Sequence, residues 1–348
     1  MRYGCIALLC FYGWVGVVGA TPTEDPYAEV NASWERFGAV YSRIIDNYYA
    51  DLNQEEIMGA AIEGMLSQLD SYSQYYNEEG LRQLRQDTTG KFAGLGITVA
   101  LKDQYPIIIS PIEGTPADRI GLKPGDLIVE VEGQSTFGMQ LEEVVNVLRG
   151  EPGTPVEISI AHRLGAAPRP IVIQREIIKI KSVVLAEKLQ GGIGYISMRQ
   201  TRFSERTTAE VEEAINSLSG VRGLVLDLRG NPGGLLRQAT QVADLFLPKG
   251  AVIVSIKERE GRREEVRRSQ RRPIAGEVPL VVLIDEGSAS ASEIVAGAIQ
   301  DNDRGVIIGT TSFGKGSVQT IFDLHEVASS ALKLTTALYY SPSGRSIH

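Results

Sequence analysis

Three serines and one lysine set the chemical question in this chain. Ser288, Ser290 and Ser292 stand in a turn of small residues, 287–293. The apolar run Leu280, Val281, Val282, Leu283, Ile284 precedes that turn. A helical pattern (Glu293, Ile294, Val295, Ala298, Ile299) follows it. A serine placed where a strand meets a helix N-terminus has free backbone N–H groups and the helix dipole beside it, and these stabilise an oxyanion. A second loop, after Val306, Ile307 and Ile308, carries Gly314-Lys315-Gly316. A lysine can take the proton of a serine if desolvation lowers its pKa from about 10.4 towards neutrality. The chemistry on offer is therefore attack of a serine on an amide with a lysine as base. Residue types alone do not choose among the three serines.

No histidine competes for the role of base. His162 falls in a separate β-rich stretch and His325 in a polar stretch after the lysine loop; together with His348 they are too few and too scattered for a metal cluster. The two cysteines, Cys5 and Cys10, lie in the leader, which excludes thiol catalysis and thiolate metal sites from the body of the chain. A nucleotide site also fails. Gly309 to Lys315 fits G-x-x-x-x-G-K, but Gly316 replaces the required Ser or Thr, and 317–322 reads as a strand where a helix is needed.

The elements that would position these residues are α/β. Gly194 to Met198 reads as a strand, and Thr207-Thr208-Ala209-Glu210 as a capping box opening a helix. Gly223 to Leu228 reads as a buried strand; the loop Arg229-Gly230-Asn231-Pro232-Gly233-Gly234 and a helix through Phe246 follow. The strand–small-residue loop–helix unit then repeats at 280–300. The mixed charges of 257–272 suggest a solvated hairpin.

The two loops resemble those of the C-terminal processing peptidases, or tail-specific proteases. The family turn G-S/T-A-S-A-S-E reads here as 287–293, and its T-x-F-G-K-G-x-V-Q as 311–319. The resemblance implies Ser290 as nucleophile, Lys315 as base and Gln319 as a residue that orients Lys315. It places a second oxyanion donor in the glycine loop, at Gly233 or Gly234; the first, the residue after the nucleophile, is Ala291. It implies a multidomain α/β protein: a helical N-terminal domain, a PDZ domain of β-strands with helices, and a protease core of the ClpP/crotonase type. No metal or cofactor is expected. Family members usually continue past Tyr340-Ser341-Pro342-Ser343-Gly344.

Residues 87–176 carry short strands and glycine turns. Gly94-Leu95-Gly96-Ile97 resembles the carboxylate loop of a PDZ domain, and 121–128 that family's turn into its central strand. Residues 140–148, apolar at Leu141, Val144, Val145 and Leu148, would form the groove helix. Loop N–H groups would capture a C-terminal carboxylate while the strand edge pairs with the peptide. Leu95, Ile97, Leu141, Val145 and Leu148 would shape a pocket for an apolar last side chain. Arg149, ending the helix, is read two ways: as a coupler of the PDZ domain to the core, for instance by pairing with an acidic group there, or as a plain helix-end cation.

Residues 21–86 suggest a small helical domain, with Phe37, Val40, Tyr41, Ile44 and Ile45 on one face and Ile57, Ala61, Ile62, Met65 and Leu66 on another. The tyrosines around 72–76 read as packing residues. Residues 1–20 read as an export leader, with Arg2, an apolar run and a small-residue exit. Export to the periplasm or another extracytoplasmic space is therefore expected. An uncleaved leader acting as a membrane anchor stays open, as does a homo-oligomer. The remaining 177–348 is the protease core. The chain has 348 residues, 43% hydrophobic and 22% charged, enough for several cores. Its net charge of −8 excludes nucleic-acid binding through bulk charge. Two functions remain: a serine endopeptidase acting on proteins with apolar C-termini, and a non-catalytic PDZ adaptor that binds such termini.

Overall fold

The computed structural model describes residues 27–324 and 329–347. The predicted leader, His325 and His348 lie outside the described residues. Among the described residues no helix is long and apolar enough to cross a membrane. The chain divides into two units, Met1–Met65 and Leu66–His348. The first contains the helix α1 (Ala28–Asn47) and most of α2 (Gln54–Leu66).

The second unit starts with a turn at Asp70, then β1 (Gln74–Tyr76) and α3 (Glu78–Thr89), the latter capped by Asn77, whose side chain accepts from the Gly80 N–H at 2.9 Å. Residues 74–76, inside the stretch read as helical, form a strand; their partners 331–333 lie at the far end of the chain, out of reach of local periodicity. A two-stranded ribbon of β2 (Lys91–Gly94) and β9 (Glu176–Lys179) flanks a six-stranded PDZ-like sheet. That sheet is built from β3 (Ile97–Lys102), β4 (Tyr105–Pro111), β5 (Leu127–Val131), β6 (Gln134–Ser135), β7 (Pro155–Ala161) and β8 (Arg169–Gln174). The short helix α4 (Pro116–Arg119) and α5 (Leu141–Leu148) complete it. Its core gathers Leu95, Ile108, Ile128, Val144, Leu148 and Ile158.

The C-terminal α/β region holds β10 (Leu185–Leu189), β11 (Ile193–Ser197), α6 (Thr207–Ser217), β12 (Gly223–Asp227) and α7 (Leu236–Asp244). It continues with β13 (Val252–Glu258), β14 (Glu264–Arg268), β15 (Leu280–Ile284), α8 (Ala291–Asp301), β16 (Val306–Gly309), β17 (Ser317–Asp323) and β18 (Ala331–Tyr340). One sheet runs β10-β11-β12-β15-β16, parallel from β11 onward. Ile196, Leu226 and Val282 point from it into the core shared with α6, α7 and α8. The second sheet runs β1-β18-β13-β14, with β17 also on β18.

The capping box expected at 207–210 does not form. Thr207 is the first helical residue, its hydroxyl accepting the Ser204 N–H at 2.8 Å. The Glu210 carboxylate turns instead to the amides of Ser182 at 2.7 Å and Val183 at 3.2 Å. Two orphan donors of the chain entering the core outcompete the helix end.

Candidate active site

The parallel sheet brings three loops to one edge, because β12, β15 and β16 all end there. Their carboxyl ends lead into the glycine loop 228–235, the serine turn 285–290 and the lysine loop 310–316. Ligands of open α/β sheets bind at this edge. Gly309 lets β16 approach β15 at its last pair, since a Cβ there would stand 1.8 Å from the Ile284 carbonyl oxygen. That close approach, not phosphate binding, accounts for the first glycine of the G-x-x-x-x-G-K pattern.

The three serines have distinct environments. Ser288 and Ser292 are fully buried. The Ser288 hydroxyl donates to the Leu228 carbonyl at 2.9 Å and accepts the Asp285 N–H at 3.0 Å. The Ser292 hydroxyl faces the Asn231 carbonyl at 2.9 Å and Oδ1 at 3.0 Å. Both stitch the turn to the glycine loop. Ser290 alone of the three is partly exposed, and its backbone is strained, at φ 55° and ψ −110°. Such backbone costs on the order of 1–3 kcal/mol and persists where surrounding contacts enforce it.

The enforcing groups are legible in the hydrogen bonds. Asp285 accepts the N–H of Gly230 at 2.7 Å and of Gly287 at 3.0 Å, joining the two loops. Asn231 is fully buried; its carbonyl takes the Ala289 N–H at 3.0 Å and its Oδ1 the Gly233 N–H at 3.0 Å. At Gly233, with φ 93°, a Cβ would meet the Ala289 carbonyl oxygen at 2.6 Å and the Ala291 nitrogen at 2.8 Å. The glycine loop thus lies directly against the serine turn. The N–H groups of Ala291 and Gly234 have no hydrogen bond among the described residues, while that of Gly233 is engaged by Asn231. Below the loop, burial alone would raise the Asp227 carboxyl, but bonds from Arg229 (2.9 and 2.6 Å) and the Tyr195 hydroxyl (2.7 Å) outweigh it and hold the group below its ordinary value.

Glu293 ties the serine turn to the lysine loop. Its Oε2 accepts the N–H of Ser290 at 2.6 Å and of Lys315 at 2.9 Å. Its Oε1 accepts the Ser312 hydroxyl and the Gly314 N–H, both at 2.7 Å. The nucleophile candidate and the lysine therefore converge on one buried carboxylate. Sequence reading placed Glu293 only as an acid in the first helical turn. Replacing it by Ala would leave three amides without their acceptor, at about 1–3 kcal/mol each when buried. Glu293→Ala should therefore lose at least about 3 kcal/mol in urea unfolding as well as activity. A Glu293→Ala protein with an unchanged unfolding midpoint would remove the clamp from this account.

Lys315 is partly buried, and desolvation holds its ammonium below its ordinary value; Lys333 and Arg202 push the same way, while Asp70 and Glu293 oppose. Its Nζ lies over the Tyr72 ring, 4.4 Å from the centroid. No hydrogen bond joins Nζ to Ser290 among the described residues. The hydroxyl of buried Tyr339 donates to the Lys315 carbonyl. Burial raises that phenol strongly, the Glu293 charge adds to this, and the nearby Ser290 side chain opposes it. Gln319, on β17, donates to Ser317 Oγ at 2.9 Å and Thr335 Oγ1 at 3.4 Å; no bond to Lys315 is present among the described residues. Tyr72 and Tyr339 are further site residues that sequence reading did not place there. A tyrosine beside Asp70 or inside a strand carries no local mark of such a role.

In the PDZ domain Gly96 has φ 77°, and a Cβ there would meet Thr115 Cβ at 2.3 Å. Leu95 and Leu148 are buried in the domain core, whereas Leu141 and Val145 line a cavity of about 890 Å³ between α5 and α3. Gly94 ends β2 and Ile97 opens β3. Arg149 reaches this cavity as well. Its guanidinium donates to Gln83 Oε1 of α3 and sits 5.5 Å from the Phe92 ring centroid. An amide and an aromatic face are thus among its partners. Arg149 is the residue that ends α5. Arg175 supplies side-chain donors there, to the carbonyls of Leu148 at 3.1 Å and Val147 at 2.9 Å.

Comparison with known proteins agrees with this architecture. Residues 192–348 match the model of peptidase family S41, 107–161 that of the PDZ domain, and 18–80 that of the activating protease CtpB N-terminal domain. The chain is 43% identical over 321 residues to the carboxy-terminal-processing protease of Bartonella bacilliformis, covering 90% of this chain and 72% of that protein. It is 36% identical to the carboxy-terminal processing protease CtpA of Bacillus subtilis, covering 91% and 67%. Among solved structures, the photosystem II D1 C-terminal processing protease superposes with a TM-score of 0.53 at 32% identity, covering 91% of this chain and 84% of that one. Fold and relatives together define a serine peptidase that carries a PDZ domain. The chain belongs to the carboxy-terminal processing proteases of peptidase family S41.

Proposed function

We propose that the protein is an exported endopeptidase working through a Ser290–Lys315 dyad and selecting substrates by their C-termini. The carrying observation is the Glu293 clamp, which brings the one partly exposed serine of the turn and a desolvated lysine to the same point. Ser290 Oγ attacks the substrate carbonyl and its proton passes to neutral Lys315 Nζ. The N–H groups of Ala291 and Gly234 receive the oxyanion, with Gly233 permitting their approach. Lys315 then returns the proton to the leaving amine, and water, deprotonated by the same lysine, releases the acyl group from Ser290. Catalytic hydrogen bonds are often longer in the free enzyme and tighten with substrate. Lys315 moving from Tyr72 to Ser290, with Gln319 turning to orient it, fits that pattern. No metal takes part. Export rests on the leader composition alone.

Gly94 to Ile97 would hold the terminal carboxylate, and Leu141 and Val145 an apolar last side chain. Purified protein incubated with an unfolded, C-terminally tagged substrate should cleave it. Binding without cleavage would make the protein an adaptor and overturn the proposal.

Arg149 links the PDZ helix to α3, so peptide binding can favour one domain arrangement by its differential affinity. A free C-terminal peptide should change the cleavage rate of an internal-site reporter by several-fold, and its amidated form should change it less. Arg149→Ala should shrink that response more than it lowers stability. Equal rates with free and amidated peptide would sink the gating idea. An unchanged response in Arg149→Ala would remove only Arg149 from it.

A further inference from the structure

Tyr72 stands in a turn anchored through Asp70 and Ser73. Asp70 Oδ1 accepts the N–H groups of Tyr72 at 2.7 Å and Ser73 at 2.8 Å, and its Oδ2 accepts the Ser73 hydroxyl at 3.0 Å. The Ser73 hydroxyl in turn accepts the Thr335 N–H of β18 at 3.2 Å. The next three residues pair with β18, the strand that also carries Tyr339. The ring face of Tyr72 is thereby delivered to Lys315 Nζ, at 4.4 Å from the centroid. On its other side the segment continues through α3 to Gln83, the partner of Arg149 at the end of the PDZ helix.

We infer that Tyr72 is a positioning residue: its ring holds the Lys315 ammonium away from Ser290 until movement of the 70–90 segment withdraws it. This rests on the reading of Lys315 as the base. A cation over a ring face is stabilised as a cation, so the contact opposes the desolvation that would make the lysine a base. The charged groups around Nζ divide likewise. Lys333 on β18 and Arg202 after β11 disfavour the ammonium; Asp70 in the turn and Glu293 on α8 favour it. The phenol of Tyr339, raised by burial, faces the site as a neutral group near pH 7. The contact between Tyr72 and Lys315 depends on a short segment fastened to both the core and the PDZ helix. That gives peptide binding a mechanical route to the base that does not require the PDZ domain to touch it.

The test measures the ionisation of Lys315 directly, in the full chain, by competitive acetylation across pH read by mass spectrometry. In Tyr72→Leu, which keeps an apolar side chain without a ring face, the Lys315 titration should move down by about half to one pH unit. The acid limb of kcat/KM should move with it, and the reporter rate without peptide should rise about three- to tenfold below that pKa. The fold-response to a free C-terminal peptide should shrink correspondingly. Tyr72→Phe, which keeps the ring, should superimpose on the wild type, and Tyr72→Trp should move the titration up. Should Tyr72→Leu fail to fold, as read by thermal melting, the Phe and Trp pair decides alone. Coincident Lys315 titrations in wild type, Leu and Trp variants would overturn the proposal. So would a Phe variant that behaves as Leu. Because acetylation reports Lys315 whether or not it is the base, failure of the dyad reading shows separately, as an active Lys315→Ala enzyme.

Discussion

Ser290→Ala is expected to lower turnover by about four orders of magnitude or more, since loss of a nucleophile leaves only binding and oxyanion stabilisation. The fold should survive. Ser290 is partly exposed, and the amide that Glu293 binds is backbone, which the substitution keeps. Its strained φ of 55° stays occupied by a non-glycine residue, as before. The neighbouring serines should give the opposite pattern. Ser288→Ala and Ser292→Ala remove buried hydroxyls that bridge the glycine loop, so each should cost about 1–3 kcal/mol of stability while measurable activity remains. Steady-state kinetics and urea unfolding on the three variants separate the roles. A Ser290→Ala protein that cleaves at wild-type rate while either neighbour is dead would reassign the nucleophile.

Lys315 carries the second large effect. Lys315→Met should lose about three orders of magnitude or more in kcat/KM, and Lys315→Arg should fare no better, because a guanidinium stays protonated. In the wild type, kcat/KM should rise with pH through the lowered Lys315 pKa and then level off. The same shift has a stability consequence. Burial disfavours the ammonium in the folded state, so the unfolded chain binds more protons between the lowered pKa and about 10.4, and stability rises with pH across that window. The penalty is fully present below the folded pKa and is gone above the unfolded one. Lys315→Met should therefore melt higher than wild type at neutral pH, with the gain vanishing above about pH 10.4. Chelators should leave the rate unchanged, because the proposed serine–lysine chemistry needs no metal. A fully active Lys315→Arg enzyme would falsify the base role.

The sequence made these loops visible for a physical reason. Strand, small-residue turn and helix follow one another locally at 280–301, and an apolar run precedes Lys315, so periodicity alone places both candidates at strand ends. What periodicity could not supply was the convergence. Glu293 binds amides 21 and 22 residues away, in a loop that reaches it only because β15 and β16 are adjacent and parallel. Tyr72 reaches Lys315 through a strand pairing between the start and the end of the second unit. The α5 C-terminus taught the same lesson. Arg149 ends the helix in sequence, but the last carbonyls receive their side-chain donors from Arg175, just past β8. Gly150 explains why. A Cβ there would meet the Arg175 guanidinium at 2.8–2.9 Å, so the glycine admits Arg175 beneath the helix and leaves Arg149 to α3. In each case the deciding contact is long-range, where local patterns of charge and apolarity carry no information.

The central claim, a single nucleophile activated by one lysine, is most directly tested by covalent labelling with a fluorophosphonate probe, mapped by tandem mass spectrometry on the intact chain. The account predicts one adduct, on Ser290, whose formation rate rises with pH in parallel with kcat/KM and falls at least about a hundredfold in Lys315→Met. An adduct on Ser288 or Ser292, or undiminished labelling of Ser290 in Lys315→Met, would contradict it.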